Sequence, residues 1–139
     1  MTSRETGDTA WVLEPILEVP HVVAAVLLTR DGLVTGYTDA LSQPSAERVA
    51  AITSTVQGAC RTAAAAFADA DRAEVRQVVI ESDLGYVLIV PTEHGTCVAA
   101  YGDPEVRLDL LAHRVHSQVA RLAEKTMVAA PRGADGAPV

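Results

Sequence analysis

The sequence has 139 residues, 49% of them hydrophobic and 21% charged. That composition suits one folded domain, excludes a disordered chain, and allows burial of about two thirds of the unfolded surface. With 18 acidic against 11 basic residues the net charge is −7, which repels phosphate backbones and argues against nucleic-acid binding, no basic patch being concentrated anywhere.

Met1 to Asp8 reads as a flexible polar arm, with no apolar stretch of the kind a signal peptide carries. No run approaches the roughly 20 apolar residues that span a bilayer. Cys60 and Cys97 lie in apolar stretches, as small buried thiols do. The expected setting is a reducing cytoplasm, without direct membrane insertion and with any membrane recruitment left to partners.

A short helix is expected from about Thr9 to Val19, with Val12, Ile16 and Val19 as its apolar stripe. Pro15 interrupts it, so the helix either kinks there or begins there with Glu14 as cap. Val22 to Leu28 is continuously apolar and predicts a strand covered on both faces. Asp31-Gly32 supplies a hairpin turn, and Leu33 to Thr38 returns as an edge strand containing Gly36.

Ser45 to Phe67 then predicts one long helix, with Ser42 or Ser45 as N-cap and Pro44 in the first turn. At about 100° per residue, Val49, Ile52, Val56, Cys60, Ala63 and Phe67 share one stripe, expected to face the core. Ala51, Thr55, Gly58, Thr62 and Ala65 make a second stripe about 130° away. Its side chains are too small to fill a core, but they let another helix approach closely. A glycine inside a helix costs about 1 kcal/mol relative to alanine, so Gly58 makes sense where such approach offsets the cost. A two-fold pairing of this helix with its own copy is the expectation.

After an acidic loop, Ala68 to Glu74, the period changes. Val75 to Glu81, Tyr86 to Val90 and Thr96 to Tyr101 predict a three-strand meander, turned at Ser82–Gly85 and Pro91–Gly95. Asp103 and Pro104 open a last helix with Leu108, Leu111, Val115, Val119 and Leu122 on its apolar stripe. The domain runs from 9 to 127, and residues 128–139, rich in proline, glycine and alanine, read as a disordered tail. The order α-β-β-α-β-β-β-α, with short links and doubly covered central strands, predicts a three-layer α/β/α sandwich around five antiparallel strands, of the α+β class.

That order, together with Val19-Pro20-His21-Val22, Leu28-Thr29-Arg30-Asp31-Gly32-Leu33, Ala46-Glu47-Arg48-Val49-Ala50-Ala51, Val78-Val79-Ile80-Glu81 and Gly85-Tyr86-Val87-Leu88-Ile89-Val90, resembles the roadblock/LC7 family. The resemblance spans Trp11 to Leu122 and is nearest to the bacterial branch found in actinobacterial operons with a sensor kinase-like protein and a Ras-like small GTPase. It implies a profilin-like fold and a homodimer in which the long helices pack together and the third strand pairs with its copy, which adds Val75, Gln77 and Val79 to an interface of Ala51, Thr55, Gly58, Thr62 and Ala65. It also implies a non-enzymatic platform that binds and regulates a Ras-like GTPase in signal transduction, with the sensor kinase-like protein as a further partner. His21 stands where the family often has glycine.

The chain carries no P-loop, no Gly-x-Ser-x-Gly elbow and no Cys-x-x-Cys pair, so no catalytic group, metal or cofactor is expected and any GTP belongs to the partner. His113 and His116 are spaced i, i+3, but nothing else is spaced to complete a metal site. Glu81 and Asp83 are turn residues before they are an acid/base pair. Arg48, Gln57 and Arg61 are the candidates for GTPase docking on the exposed flank of the long helix. Arg61 is expected to keep that flank soluble, because arginine fingers usually come from mobile loops. Two other functions fit this layering: a small-ligand sensor, with a pocket between sheet and terminal helices, and a structural dimerisation scaffold in a larger complex.

Overall fold

Continuous apolar runs at 22–28, 86–90 and 96–101 need cover on both faces, and the chain meets that need by placing them side by side. In the computed structural model, which describes residues 3–4 and 9–129 with side chains from 9 to 125, the order is β1 (Ser3–Arg4), α1 (Ala10–Leu17), β2 (Val22–Thr29), β3 (Val34–Thr38), α2 (Gln43–Ala68), β4 (Val78–Ser82), β5 (Gly85–Pro91), β6 (Thr96–Gly102) and α3 (Leu108–Ala129). The five predicted strands make one antiparallel sheet, and β1, two residues from the polar arm, lengthens it at one edge in the order β1-β3-β2-β6-β5-β4. The rest of that arm, and the tail past Ala129, lie outside the described residues.

Helices cover both faces, as expected of the three-layer sandwich. On one side Val12, Leu13 and Ile16 of α1 and Leu111 and Val115 of α3 pack with Leu27, Leu88, Val90 and Val98. On the other, Ala46 and Ala50 of α2 pack on Val26, Leu28, Ile89 and Cys97. No helix among the described residues is long and apolar enough to cross a membrane.

The first hairpin turns where Asp31-Gly32 predicts. Gly32 has φ +98°, the Thr29 N–H donates to the Leu33 carbonyl at 2.8 Å, and the Gly32 N–H donates to that of Thr29 at 3.0 Å. Ser42 is the cap of α2, its Oγ accepting from the Ser45 N–H at 3.2 Å.

Three local expectations are corrected. Of the two alternatives at Pro15 the structure excludes a start there: α1 begins at Ala10 and Pro15 sits inside it. It leaves the Trp11 carbonyl without its helical donor, and Gln118 of α3 donates through Nε2 to that oxygen at 2.9 Å and to Val12 O at 3.2 Å. The last helix starts at Leu108, not at Pro104. Asp103 Oδ1 instead accepts from the Glu105 N–H at 2.8 Å, and the turn it closes drops Val106 into the core. The expected strand Val75 to Glu81 is shortened to Val78–Ser82.

The largest correction concerns the long helix. Its core face is Ala46, Ala50, Thr53 and Gln57, not the stripe of Val49, Ile52, Val56, Cys60, Ala63 and Phe67. Ile52 is 56% exposed and Phe67 94%. Alanines at the contact let the helix axis lie close to the sheet, and Val49 and Val56 straddle the contact half-buried. Bulk alone therefore points to the wrong side of α2.

Candidate functional site: the outer face of the long helix and the free sheet edge

With the core contact assigned to Ala46, Ala50, Thr53 and Gln57, the opposite side of α2 is outward. It carries Arg48, Ala51, Ile52, Thr55, Ala59, Thr62, Ala63 and Phe67, all exposed. Apart from Arg48 these are small or apolar side chains on more than four helical turns, an unusual composition for a wet helix face. Of the small-residue stripe, Ala51, Thr55 and Thr62 lie on this face, Gly58 is half-buried at its margin, and Ala65 is turned inward at 8% exposure. A Cβ added at Gly58 would meet only the Arg61 guanidinium, at 3.8 Å. Among the described residues nothing within the chain itself demands glycine there.

At the end of the sheet away from β3 the strand order closes with β4. Its register with β5 runs from Val78 opposite Ile89 to Ser82 opposite Gly85, and β4 is the last strand in the sheet. Val79 is 40% exposed and Ile80 38%, so this strand is open on both faces as well as along its outer edge, the kind of edge that invites another strand. Val75 and Gln77 precede the strand. Gln77 is exposed, and its Oε1 sits 2.7 Å from His116 Nε2 of α3, which fixes the approach to β4.

The docking candidates separate. Arg48 is exposed on the outer face and Arg61 is half-buried beside it. Gln57, expected next to Arg61 on the exposed flank, is instead 6% exposed. Its Nε2 lies 3.6 Å from Cys97 Sγ on β6. Burial, only partly offset by that contact, pushes the Cys97 thiol up to about 12. Ser54, not singled out from the sequence, donates through Oγ to the Arg30 carbonyl at 2.8 Å and ties α2 to the first hairpin. A serine well inside a helix gives no signal of such a long-range bond.

At the opposite edge of the α1 layer, His21 adopts φ +74°, the conformation for which glycine is the usual choice. Its Nδ1 stands 3.2 Å from Asp103 Oδ2. The Asp103 carboxyl is held below its usual range, first by the Glu105 N–H and then by His21. Among the described residues no three His, Cys, Asp or Glu side chains converge on one point. Cys60 and Cys97 are both free thiols.

The Roadblock/LC7 domain model matches residues 9–101. A crystal structure of a Roadblock/LC7 domain from Streptomyces avermitilis superposes with a TM-score of 0.76 at 31% identity, covering 84% of this chain and 96% of that one. The gliding protein mglB of Thermus thermophilus gives 0.67 at 21% identity over 83% of this chain and 87% of its own. Myxococcus xanthus MglB gives 0.75 at 12% identity over 90% and 99%, so the last two matches speak for the fold alone. No curated protein matches.

Proposed function

The chain belongs to the Roadblock/LC7 family, a family of regulatory and adaptor domains rather than enzymes, and we propose that it is a homodimeric docking platform for a Ras-like small GTPase. The observation that carries the reading is the outer face of α2, where Ile52 and Phe67 stand 56% and 94% exposed among alanines and threonines. A second copy of the same helix, laid against it about a two-fold axis, covers that face and brings Gly58 and the small side chains into close approach. The β4 edge, last in the sheet, pairs with its own copy and joins the two sheets into one.

The mechanism is positional. Two rigid sandwiches held together present one continuous surface, and the GTPase supplies its own nucleotide and catalytic groups. Arg48 and Arg61 border the paired helices and meet the acidic or phosphate-bearing side of the partner, while Gln57 acts from inside by holding α2 on the sheet. A sensor kinase-like protein is a further partner of such a platform in the cytoplasm.

The sensor alternative needs an open cleft between the sheet and α1 and α3. Leu13, Ile16, Leu88, Val98, Leu111 and Val115 fill that space, none exposed above 0%, which favours the platform. The test is a titration of the purified chain with Ras-like GTPases loaded with GDP or with a non-hydrolysable GTP analogue. Binding that differs between the two states supports a regulator, because only differential affinity couples to the switch. Absence of binding to all of them contradicts the reading.

A further inference from the structure

One end of the sandwich carries a cavity that neither the dimer nor the docking reading accounts for, although Gln57 and Arg61, which line it, also figure in the docking reading. Where α2, the Arg30 turn, the 91–95 turn and the loop before β4 meet, a cavity of about 50 Å³ is lined by Arg30, Ser54, Gln57, Arg61, Glu74 and Thr92 among others. It adjoins an open cleft of about 420 Å³ that shares Arg30, Arg61 and Glu74 and adds Ala65, Ala66 and Arg72. A third cleft, holding Arg76, shares Arg30 and Glu74 as well.

Three properties single this place out. The chain is acidic by seven charges, yet Arg30, Arg61, Arg72 and Arg76 gather here against Asp71, Glu74 and Glu93. Gln57 is more than nine-tenths buried and its Oε1 has no hydrogen-bond partner among the described residues, a cost of the kind a native fold keeps for a reason. Its amide can turn over, so that the Cys97 thiol, kept protonated by burial, exchanges its long 3.8 Å contact with the Val98 carbonyl for Oε1, and Nε2 becomes a free donor. Arg30, Arg61 and the turned amide then line a volume larger than a single water needs.

We propose that this cavity is a binding site for a small phosphate-type oxyanion, held by Arg30, Arg61 and the Gln57 amide, with the alanine-lined cleft leaving room for an organic group esterified to it. Glu74 stands against the ligand as the one carboxylate lining the cavity, so the site is weak and adjustable. Both free phosphate and a small phosphate monoester carry this chemistry.

The test is an amide and side-chain NMR titration of the full chain with sodium phosphate, with glycerol 1-phosphate, and with sodium chloride at matched ionic strength. A saturable shift of the Gln57 side-chain NH2 and the Gly95 N–H with either phosphate, absent with chloride, is expected. Tighter binding of the ester identifies a small phosphorylated metabolite, and equal binding identifies inorganic phosphate. Arg61→Gln, at a half-buried position, weakens binding about tenfold, the loss of one charge-assisted hydrogen bond. Glu74→Gln, at an exposed position, tightens it, which a merely structural role would not do. Shifts that grow linearly and match those in chloride overturn the proposal, and so does a phosphate affinity that Arg61→Gln and Glu74→Gln leave unchanged. The outcome is independent of whether a GTPase binds.

Discussion

Gln118 supplies the hydrogen bond that Pro15 removes: its Nε2 donates at 2.9 Å to the Trp11 carbonyl, the oxygen that a residue-15 N–H would otherwise serve. Gln118 is 2% exposed, so the repair is made in the core between α1 and α3. Arg114 adds a bond to the Pro15 carbonyl, and Lys125 and Arg121 stack over the Trp11 ring, with Nζ 5.0 Å and the guanidinium carbon 5.8 Å from its centroid. Gln118→Leu leaves the Trp11 carbonyl unserved and costs about 1–3 kcal/mol in denaturant unfolding. In that background Pro15→Ala returns a donor and recovers part of the loss, giving a coupling of about 0.5–3 kcal/mol in a double-mutant cycle.

Cys97 sets a limit on alkaline stability. Its folded thiol titrates near 12 against 9.0 for an ordinary cysteine. A raised folded value means that the stabilisation is complete below pH 9 and is lost as pH rises from there to about 12. The slope from this group is about 1.4 kcal/mol per pH unit. Unfolding curves of the native chain and of Cys97→Ala, taken from pH 8 upward, should differ by that slope. In native buffer the half-buried Cys60 should react with a thiol reagent well before Cys97.

His21 pays for its left-handed backbone with no compensating burial, since its side chain is 48% exposed beside Asp103. His21→Gly should be no less stable than the native chain, while His21→Val should lose about 1–2 kcal/mol because a β-branched residue tolerates positive φ worst. Thermal unfolding of the two variants checks the ordering.

We propose Arg61 as part of a docking surface and not as a finger. Arg61→Ala should change GTPase affinity a few-fold and leave any stimulated hydrolysis step within about tenfold. A loss of about 1000-fold in single-turnover hydrolysis is the scale of a true arginine finger and would reverse the assignment.

The sheet was legible because its central strands are apolar without interruption and its turns carry Asp-Gly and Gly at the positions that need them. Gly85, at φ +133°, leaves its missing Cβ position 2.2 Å from the Gly102 carbonyl, which is why the second hairpin tolerates no side chain there. The face of α2 was not legible from bulk. A helix that lies close on a sheet does so through small side chains such as Ala46 and Ala50, and Ile52 and Phe67 were free to face outward, so side-chain size did not separate the core face from the outer one. Gln57 was misplaced for the same reason. The Pro15 repair was illegible because its partner is 103 positions along the chain, where no local pattern reaches.

The outer face of α2 is where two copies are expected to meet. Sedimentation equilibrium of the native chain, Ile52→Asp and Phe67→Asp, each with a circular dichroism spectrum, tests this directly. The native chain should sediment at twice its 14.6 kDa, and both variants should fall towards one chain mass with unchanged helix content. A native monomer, or a dimer whose affinity neither substitution changes, would contradict a self-interface on this face.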